Sequence, residues 1–398
     1  MSKFAAVRIH RMLAEGCAGV LREVFDRGCV LDRVIDQTFR ANPKWGKRDR
    51  GFVAETVFEI VRWRRALAFV AGGDSVEALC AAQWNRQGMN IPDWWEWKGG
   101  KLTEMNDREE ALGSEPRAIR ESIPDWLDAR GASELGEIWD AEISALNHRA
   151  PVFLRVNRLR ISMDGAIRWL AENGVIADRV KDAPDALVLP EGKGIPKALA
   201  GEGFVEIQDA GSQVIAPLLE VEPGMRVIDA CAGAGGKTLH LAALMQGRGE
   251  IVAMDVSTAK LSELRRRAAR AGTRIIRTET WREDTLKRYA GWADRVLIDA
   301  PCSGLGTLRR QPDLKWRLSE AAVEKTRRLQ RRLLDHYPAL LKPGGKFVYA
   351  TCSVLPSENA GQLDLLAERD GRFKMEESVT VSPSQSGWDG FFAARLSV

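Results

Sequence analysis

The sequence has no apolar run near the roughly 20 residues that a membrane-spanning helix requires. Its opening stretch, MSKFAAVRIHRMLAEG, contains no apolar core of signal-peptide length. These absences lead us to expect a cytoplasmic protein with no membrane partner. Histidine is scarce, at 4 residues in 398. The six cysteines, Cys17, Cys29, Cys80, Cys231, Cys302 and Cys352, stand far apart, so neither a disulfide framework nor a zinc site follows and no metal is expected. Strong charge of either sign is missing as well: the net charge is +4, so any nucleic-acid role depends on where the charges sit. What remains, 45% hydrophobic and 29% charged side chains, is enough for two or three domains with real cores.

From Ala5 to about Val70, apolar residues recur at helical spacing, as in Val20, Leu21, Val24 and Phe25 and then Val53, Val57, Ile60 and Val61. The stretch after Gly72 is rich in tryptophan, with Trp84, Trp94, Trp95 and Trp97, and predicts no definite conformation. Packing under a loop is its expected use, ahead of base stacking. Residues 1–145 are therefore expected to form a helical region with an irregular Trp-rich segment. At Ala150 the pattern changes: PVFLRVN, ALVLP and GFVEIQD read as short strands around a helix over Met163 to Asn173. Residues 146–210 are thus a small α+β unit. Residues 211–398 alternate strand and helix through RVIDA, IVAMDV, RIIRTE, RVLIDA and KFVYAT, predicting a doubly wound, Rossmann-like α/β domain with a mainly parallel sheet.

The stretch VIDACAGAGGKT places Gly233, Gly235 and Gly236 between a strand and a helix, where backbone can approach a ligand closely. A phosphate-binding loop needs a glycine where Cys231 stands, and a dinucleotide fingerprint needs a third glycine further on. The surviving reading is the methyltransferase arrangement, in which an acidic residue ending the second strand holds ribose hydroxyls. Asp255 is in register for it.

Two further strands end at cysteines, RVLIDA running into Pro301-Cys302-Ser303 and KFVYA into Thr351-Cys352-Ser353. In the strand order three-two-one-four-five these ends are adjacent, so both thiols are expected at the cofactor rim. A thiol there has a task. Carbon 5 of a pyrimidine is a poor nucleophile until a thiolate adds at carbon 6 and makes the ring an enamine. The base must first leave any stack, which favours single-stranded or remodelled RNA. Cys17, Cys29 and Cys80 are expected to be ordinary core thiols. Residue chemistry alone does not say which of Cys302 and Cys352 attacks.

At these residues the sequence closely resembles the Nol/Nop/Sun family of RNA 5-methylcytosine methyltransferases, through SIPDWL, ALNHRAPVFLRVN, QDAGSQ, DACAGAGGKT, DAPCSGLGTLRRQPDLKW, PGGKFVYATCSVLPSEN and DGFFAARL. The resemblance implies S-adenosylmethionine as cofactor, Cys352 as nucleophile, Cys302 as the residue that assists product release, and Asp299 between cofactor and cytosine. It also implies that Cys231, Ala232, Gly233, Ala234, Gly235, Gly236 and Lys237 line the cofactor and that Asp255 binds its ribose. The segment KRDRGFVAETVFEIVRW resembles the NusB-like domain of bacterial ribosomal RNA members, and Pro151 to about Ile207 resembles their small RNA-facing, ferredoxin-like unit. The sequence departs from the family twice: Ala234 replaces the usual proline of the loop, and Thr280 falls where an acidic residue contacts the adenine side, with Glu279 and Asp284 nearby.

Arg309 and Arg310 follow Cys302 closely and are expected to hold RNA phosphates at the cleft mouth. The runs Arg265 to Arg267 and Arg327 to Arg332 read as solvated helix faces. The expected partner is RNA, ribosomal RNA foremost, with no DNA and a single chain as the working unit. A transfer RNA cytosine-5 methyltransferase and a non-catalytic RNA-binding or ribosome-assembly protein are the rival readings.

Overall fold

The computed structural model describes residues 8–398; the first residues of the expected helical pattern, from Ala5, and the first seven of the opening stretch lie outside them. The chain divides into two compact units, Met1–His148 with Leu308–Glu320, and Arg149–Thr307 with Ala321–Val398. Among the described residues no helix is long and apolar enough to cross a membrane.

The first unit is helical. Helices Arg11–Phe25, Leu31–Ala41, Lys47–Arg62, Arg64–Ala71 and Val76–Arg86 turn Leu13, Cys17, Leu21, Phe52, Val53 and Ile60 into one core. Burial pushes the Cys17 thiol up to about 12, and Cys80 is equally buried, so both are inert small hydrophobes. The Trp-rich segment packs on this core: Trp84 is fully buried, Trp95 meets it edge-on at 5.1 Å, and Trp95 Nε1 donates to the Glu77 carbonyl at 3.0 Å.

Residues 308–320, expected to run with the α/β domain, belong to the helical unit. The reason is the end of helix Lys47–Arg62, whose last carbonyls have no partner within the helix. Lys315 Nζ donates to Arg62 O at 2.7 Å and Trp316 Nε1 to Val61 O at 2.6 Å. A cation is favoured at this negative end of the helix dipole. Lys315 is 1% exposed, and burial, with the charge of Arg62, holds its pKa well below the ordinary lysine value. Asn147 Oδ1 accepts its second bond at 3.0 Å, and Asp313 accepts from Leu31 N at 3.3 Å.

The second unit contains two sheets. A small antiparallel sheet has strands β1 (Phe153–Val156), β2 (Asp178–Arg179), β3 (Ala186–Val188) and β4 (Val205–Ile207) in the order β2-β3-β1-β4. The helix Met163–Glu172 packs Met163, Ala166 and Leu170 on it, its first turn capped by the Ser162 hydroxyl accepting from Gly165 N at 3.1 Å. The large sheet comprises β5 (Arg226–Asp229), β6 (Glu250–Asp255), β7 (Ile276–Thr280), β8 (Ala293–Asp299), β9 (Leu341–Thr351), β10 (Lys374–Val381) and β11 (Phe391–Ser397). Its order is β10-β11-β9-β8-β5-β6-β7. Strands β5 to β9 are parallel and follow the expected three-two-one-four-five arrangement, while β10 and β11 add an antiparallel edge.

The central strands are apolar on both faces because both are covered. Ile228, Val296, Ile298, Phe347 and Tyr349 point into one core, and their alternates Val227, Leu297 and Val348 point into the other.

Candidate active site

Strand β5 ends at Asp229 and the next helix begins at Gly236. The chain between them turns through Gly233 (φ 55°) and Gly235 (φ 88°). Gly235 has to be glycine twice over, since a Cβ there would lie 2.6 Å from Leu264 Cγ. Above Gly233 there is open space, and above Gly236 only the Gln208 amide at 3.8 Å, so a ligand can lie directly on this backbone. The missing proline has not cost the turn: Gly235 supplies the left-handed residue that starts the helix. Asp255 holds the loop with both oxygens, accepting from Gly233 N at 2.9 Å and Ser257 N at 2.8 Å. Each oxygen keeps a further lone pair that can accept from a ligand hydroxyl.

The loop is also held from the small sheet. Arg155 on β1 is 2% exposed and donates to the Gly236 carbonyl and the Gln208 side chain. Glu206, its register partner on β4, accepts from Arg267 at 2.8 Å, and Arg267 also donates to Ala234 O at 2.8 Å.

Strands β8 and β9 pair in parallel, with Asp299 opposite Ala350, so the turns that follow them are neighbours. Cys302 Sγ and Cys352 Sγ lie 3.3 Å apart. The hydrogen bond to Cys352, burial, and the charges of Cys352 and Glu358 hold the Cys302 thiol well above its usual range, so Cys302 keeps its proton. Lys237 Nζ donates to Asp299 Oδ2 at 2.7 Å and stands 5.4 Å from the centre of the Phe391 ring. Burial works against the Lys237 charge, but the Asp299 carboxylate prevails and its pKa lies above the ordinary value. Behind them Asp229, which accepts from Thr238 at 2.6 Å, is pushed up to about 7 by burial.

One cleft of about 500 Å³ joins these groups. Cys231, Ala232, Gly233, Ala234, Gly236, Lys237, Asp255, Asp299, Cys302 and Cys352 all line it, while Gly235 lies behind, against Leu264. Sequence reading missed Gln208, Ser212, Lys260, Arg267 and Phe391, which also line it; the quoted motifs QDAGSQ and DGFFAARL contain three of them and could have pointed there. Glu279 and Asp284 are not in the lining, and both bind Arg288, at 2.8 and 2.7 Å. Arg309 departs from expectation: it is buried in the helical unit, where its Nε donates to the His148 carbonyl at 3.3 Å. Burial and this bond leave little of the Arg309 side chain exposed to an RNA phosphate.

Comparisons with known proteins place the chain in a family. A family model described as 16S rRNA methyltransferase RsmB/F matches residues 216–397. A second, the RsmF/B-like ferredoxin-like domain, matches residues 123–195. Ribosomal RNA small subunit methyltransferase B of Salmonella arizonae is 31% identical over 402 residues, covering 97% of this chain and 90% of its own. The protein of the same name from Pseudomonas putida is 30% identical, covering 89% and 91%. Among solved structures, a methyltransferase homolog protein from Pyrococcus horikoshii superposes with a TM-score of 0.62 at 27% identity, over 71% of this chain and 97% of that one. NSun6 from the same organism gives 0.63 at 22% identity, over 69% and 98%. With that identity sustained over nine-tenths of the Salmonella relative, and a glycine-loop cleft suited to S-adenosylmethionine, the chain belongs to the RsmB/F family of S-adenosylmethionine-dependent rRNA methyltransferases.

Proposed function

We propose that this protein methylates carbon 5 of a cytosine in ribosomal RNA through a covalent cysteine adduct, working in the cytoplasm as a single chain. The observation that carries the reading is the 3.3 Å approach of Cys302 and Cys352 in the cleft that also holds Asp299 and the glycine loop. Bound over Cys231 to Lys237, with its ribose at Asp255, S-adenosylmethionine supplies an electrophilic methyl group. The rest is done by side chains. The Cys352 thiolate adds to carbon 6 and leaves carbon 5 electron-rich. Asp299, held by Lys237, orients the base. After carbon 5 has taken the methyl group, water accepts its proton, the carbon 6–sulfur bond breaks with the electron pair leaving on Cys352, and the ring regains its aromaticity. Cys302, the thiol that retains its proton, assists that departure. Arg310, half-buried at the start of segment 308–320, is the remaining candidate for a phosphate contact, and the helical unit is the candidate RNA-binding region.

The test is direct. Cys352→Ala abolishes methyl transfer from labelled cofactor to RNA, whereas Cys302→Ala accumulates a protein–RNA adduct that survives denaturing electrophoresis. Retained activity in the first variant, or adduct accumulation in the wrong one, refutes the assignment. Bisulfite mapping of RNA from cells lacking the protein identifies the cytosine.

A further inference from the structure

Glu358 is 0% exposed, and among the described residues no cation pairs with it. A buried carboxylate without a counter-ion is costly unless hydrogen bonds satisfy it, and the donors here come from both cysteine turns. Ser303 N donates to Oε1 at 2.8 Å, Ser353 Oγ donates to Oε2 at 2.6 Å, and Gln330 Nε2, which also holds Pro301 O at 2.9 Å, donates to Oε1 at 3.2 Å. Tyr349 OH donates to the Glu358 carbonyl at 2.7 Å. Ser303 and Ser353 directly follow Cys302 and Cys352.

A carboxylate only accepts, and this fixes the direction of every proton in the cluster. The one Ser353 hydroxyl proton goes to Glu358, so in the 3.2 Å contact between the two serine hydroxyls Ser303 is the donor. The Ser353 oxygen is then free to accept from Leu355 N at 3.1 Å. The Ser303 oxygen accepts from Leu305 N at 3.4 Å. Each cysteine-bearing turn is closed by its own serine, and both serines take their orientation from one carboxylate. The Glu358 charge also contributes to keeping Cys302 protonated, after the Cys352 hydrogen bond and burial.

We propose that Glu358 is a positioning residue that sets the spacing and the proton placement of the Cys302–Cys352 pair through Ser303 and Ser353. The inference rests on the covalent mechanism above for its catalytic meaning, but its structural content can be tested without RNA. Glu358→Gln keeps the shape and breaks the pattern: an amide nitrogen facing Ser303 N sets donor against donor, and one facing Ser353 Oγ donates to it and reverses the direction of the serine hydroxyl protons.

The experiment is the pH dependence of iodoacetamide alkylation at Cys302 and Cys352, read peptide by peptide in the full chain, with thermal melting and calorimetric S-adenosylmethionine binding as controls. In Glu358→Gln the midpoint for Cys302 falls by about one pH unit. The kcat for RNA falls about 100-fold, as displacement of reacting groups by about 1 Å brings, while KM and cofactor affinity hold. Should that variant not fold, Ser303→Ala removes only the hydroxyl link and shifts both readouts in the same direction. A folded variant whose two alkylation profiles match the wild type overturns the proposal. A wild-type protein that fails to methylate RNA instead overturns the covalent reading and leaves the alkylation profiles to judge Glu358.

Discussion

Two buried titratable side chains of the second unit pull its stability in opposite directions. His240, whose Nε2 lies 3.1 Å from Asp185 Oδ2, has its pKa lowered to about 4 by burial, with Arg155 adding to the effect and Asp185 opposing it. As pH falls from 6.5 through 4, the unfolded chain takes a proton that the folded one refuses, and stability declines by about 3 kcal/mol. Asp229 does the reverse. With its pKa raised from 3.8 to about 7 by burial and by Asp299, against Thr238 and Lys237, it keeps a proton that the unfolded chain releases, and stability declines by about 4 kcal/mol as pH rises through that window. The two nearly cancel in the wild type. Urea unfolding between about pH 4 and 7 should therefore show His240→Gln losing stability as pH rises and Asp229→Asn gaining it; two variants sharing the wild-type slope would contradict this. Neither role was readable in the sequence: His240 lies outside the quoted motifs, and Asp229, although it opens DACAGAGGKT, like His240 acquires its shift from neighbours that only the fold supplies. Cys231 to Lys237, Asp255, Cys302 and Cys352 were readable because a reactive or glycine residue beside a strand end is a local pattern. Glu358 was not, its Ser303 partner being 55 residues away.

At the scale of elements, the small sheet helps hold the glycine loop of the cleft. Strand β1 sends Arg155 to the Gly236 carbonyl, 81 residues on, and β4 supplies Glu206 to Arg267, which holds Ala234 O. Burial lowers the Arg155 pKa to about 10 despite Glu206, a sign of how little water reaches it. Arg155→Met should therefore weaken S-adenosylmethionine binding about tenfold, from loss of a charged hydrogen bond of roughly 1.5 kcal/mol or more, with the Cys302 and Cys352 alkylation profiles unchanged. Calorimetry checks it, and unaltered affinity would contradict it. The alternation of strands and helices made the parallel sheet legible. The edge strands β10 and β11 escaped because Lys374–Val381 is mostly exposed and offers no apolar period, although Phe391 on β11 lines the cleft.

For the molecule as a whole, the consequential feature is the return of residues 308–320 to the helical unit. A chain restricted to residues 149–398 carries that segment without the carbonyls of Val61 and Arg62 that it bonds. Its amides should exchange with deuterium at loop-like rates; protection equal to the full chain would show that the segment folds without the helices. Residues 1–148 alone should unfold at lower urea, by about 3 kcal/mol for the lost Lys315 and Trp316 contacts, and regain stability when a 308–320 peptide is added. The same return constrains biosynthesis. The ribosome emits the helices first, yet the buried lysine and the acid that bonds Leu31 N belong to residues made only after most of the α/β domain. The unit begun earliest is thus completed late, and a chain stalled before residue 320 leaves a helical domain open at its core.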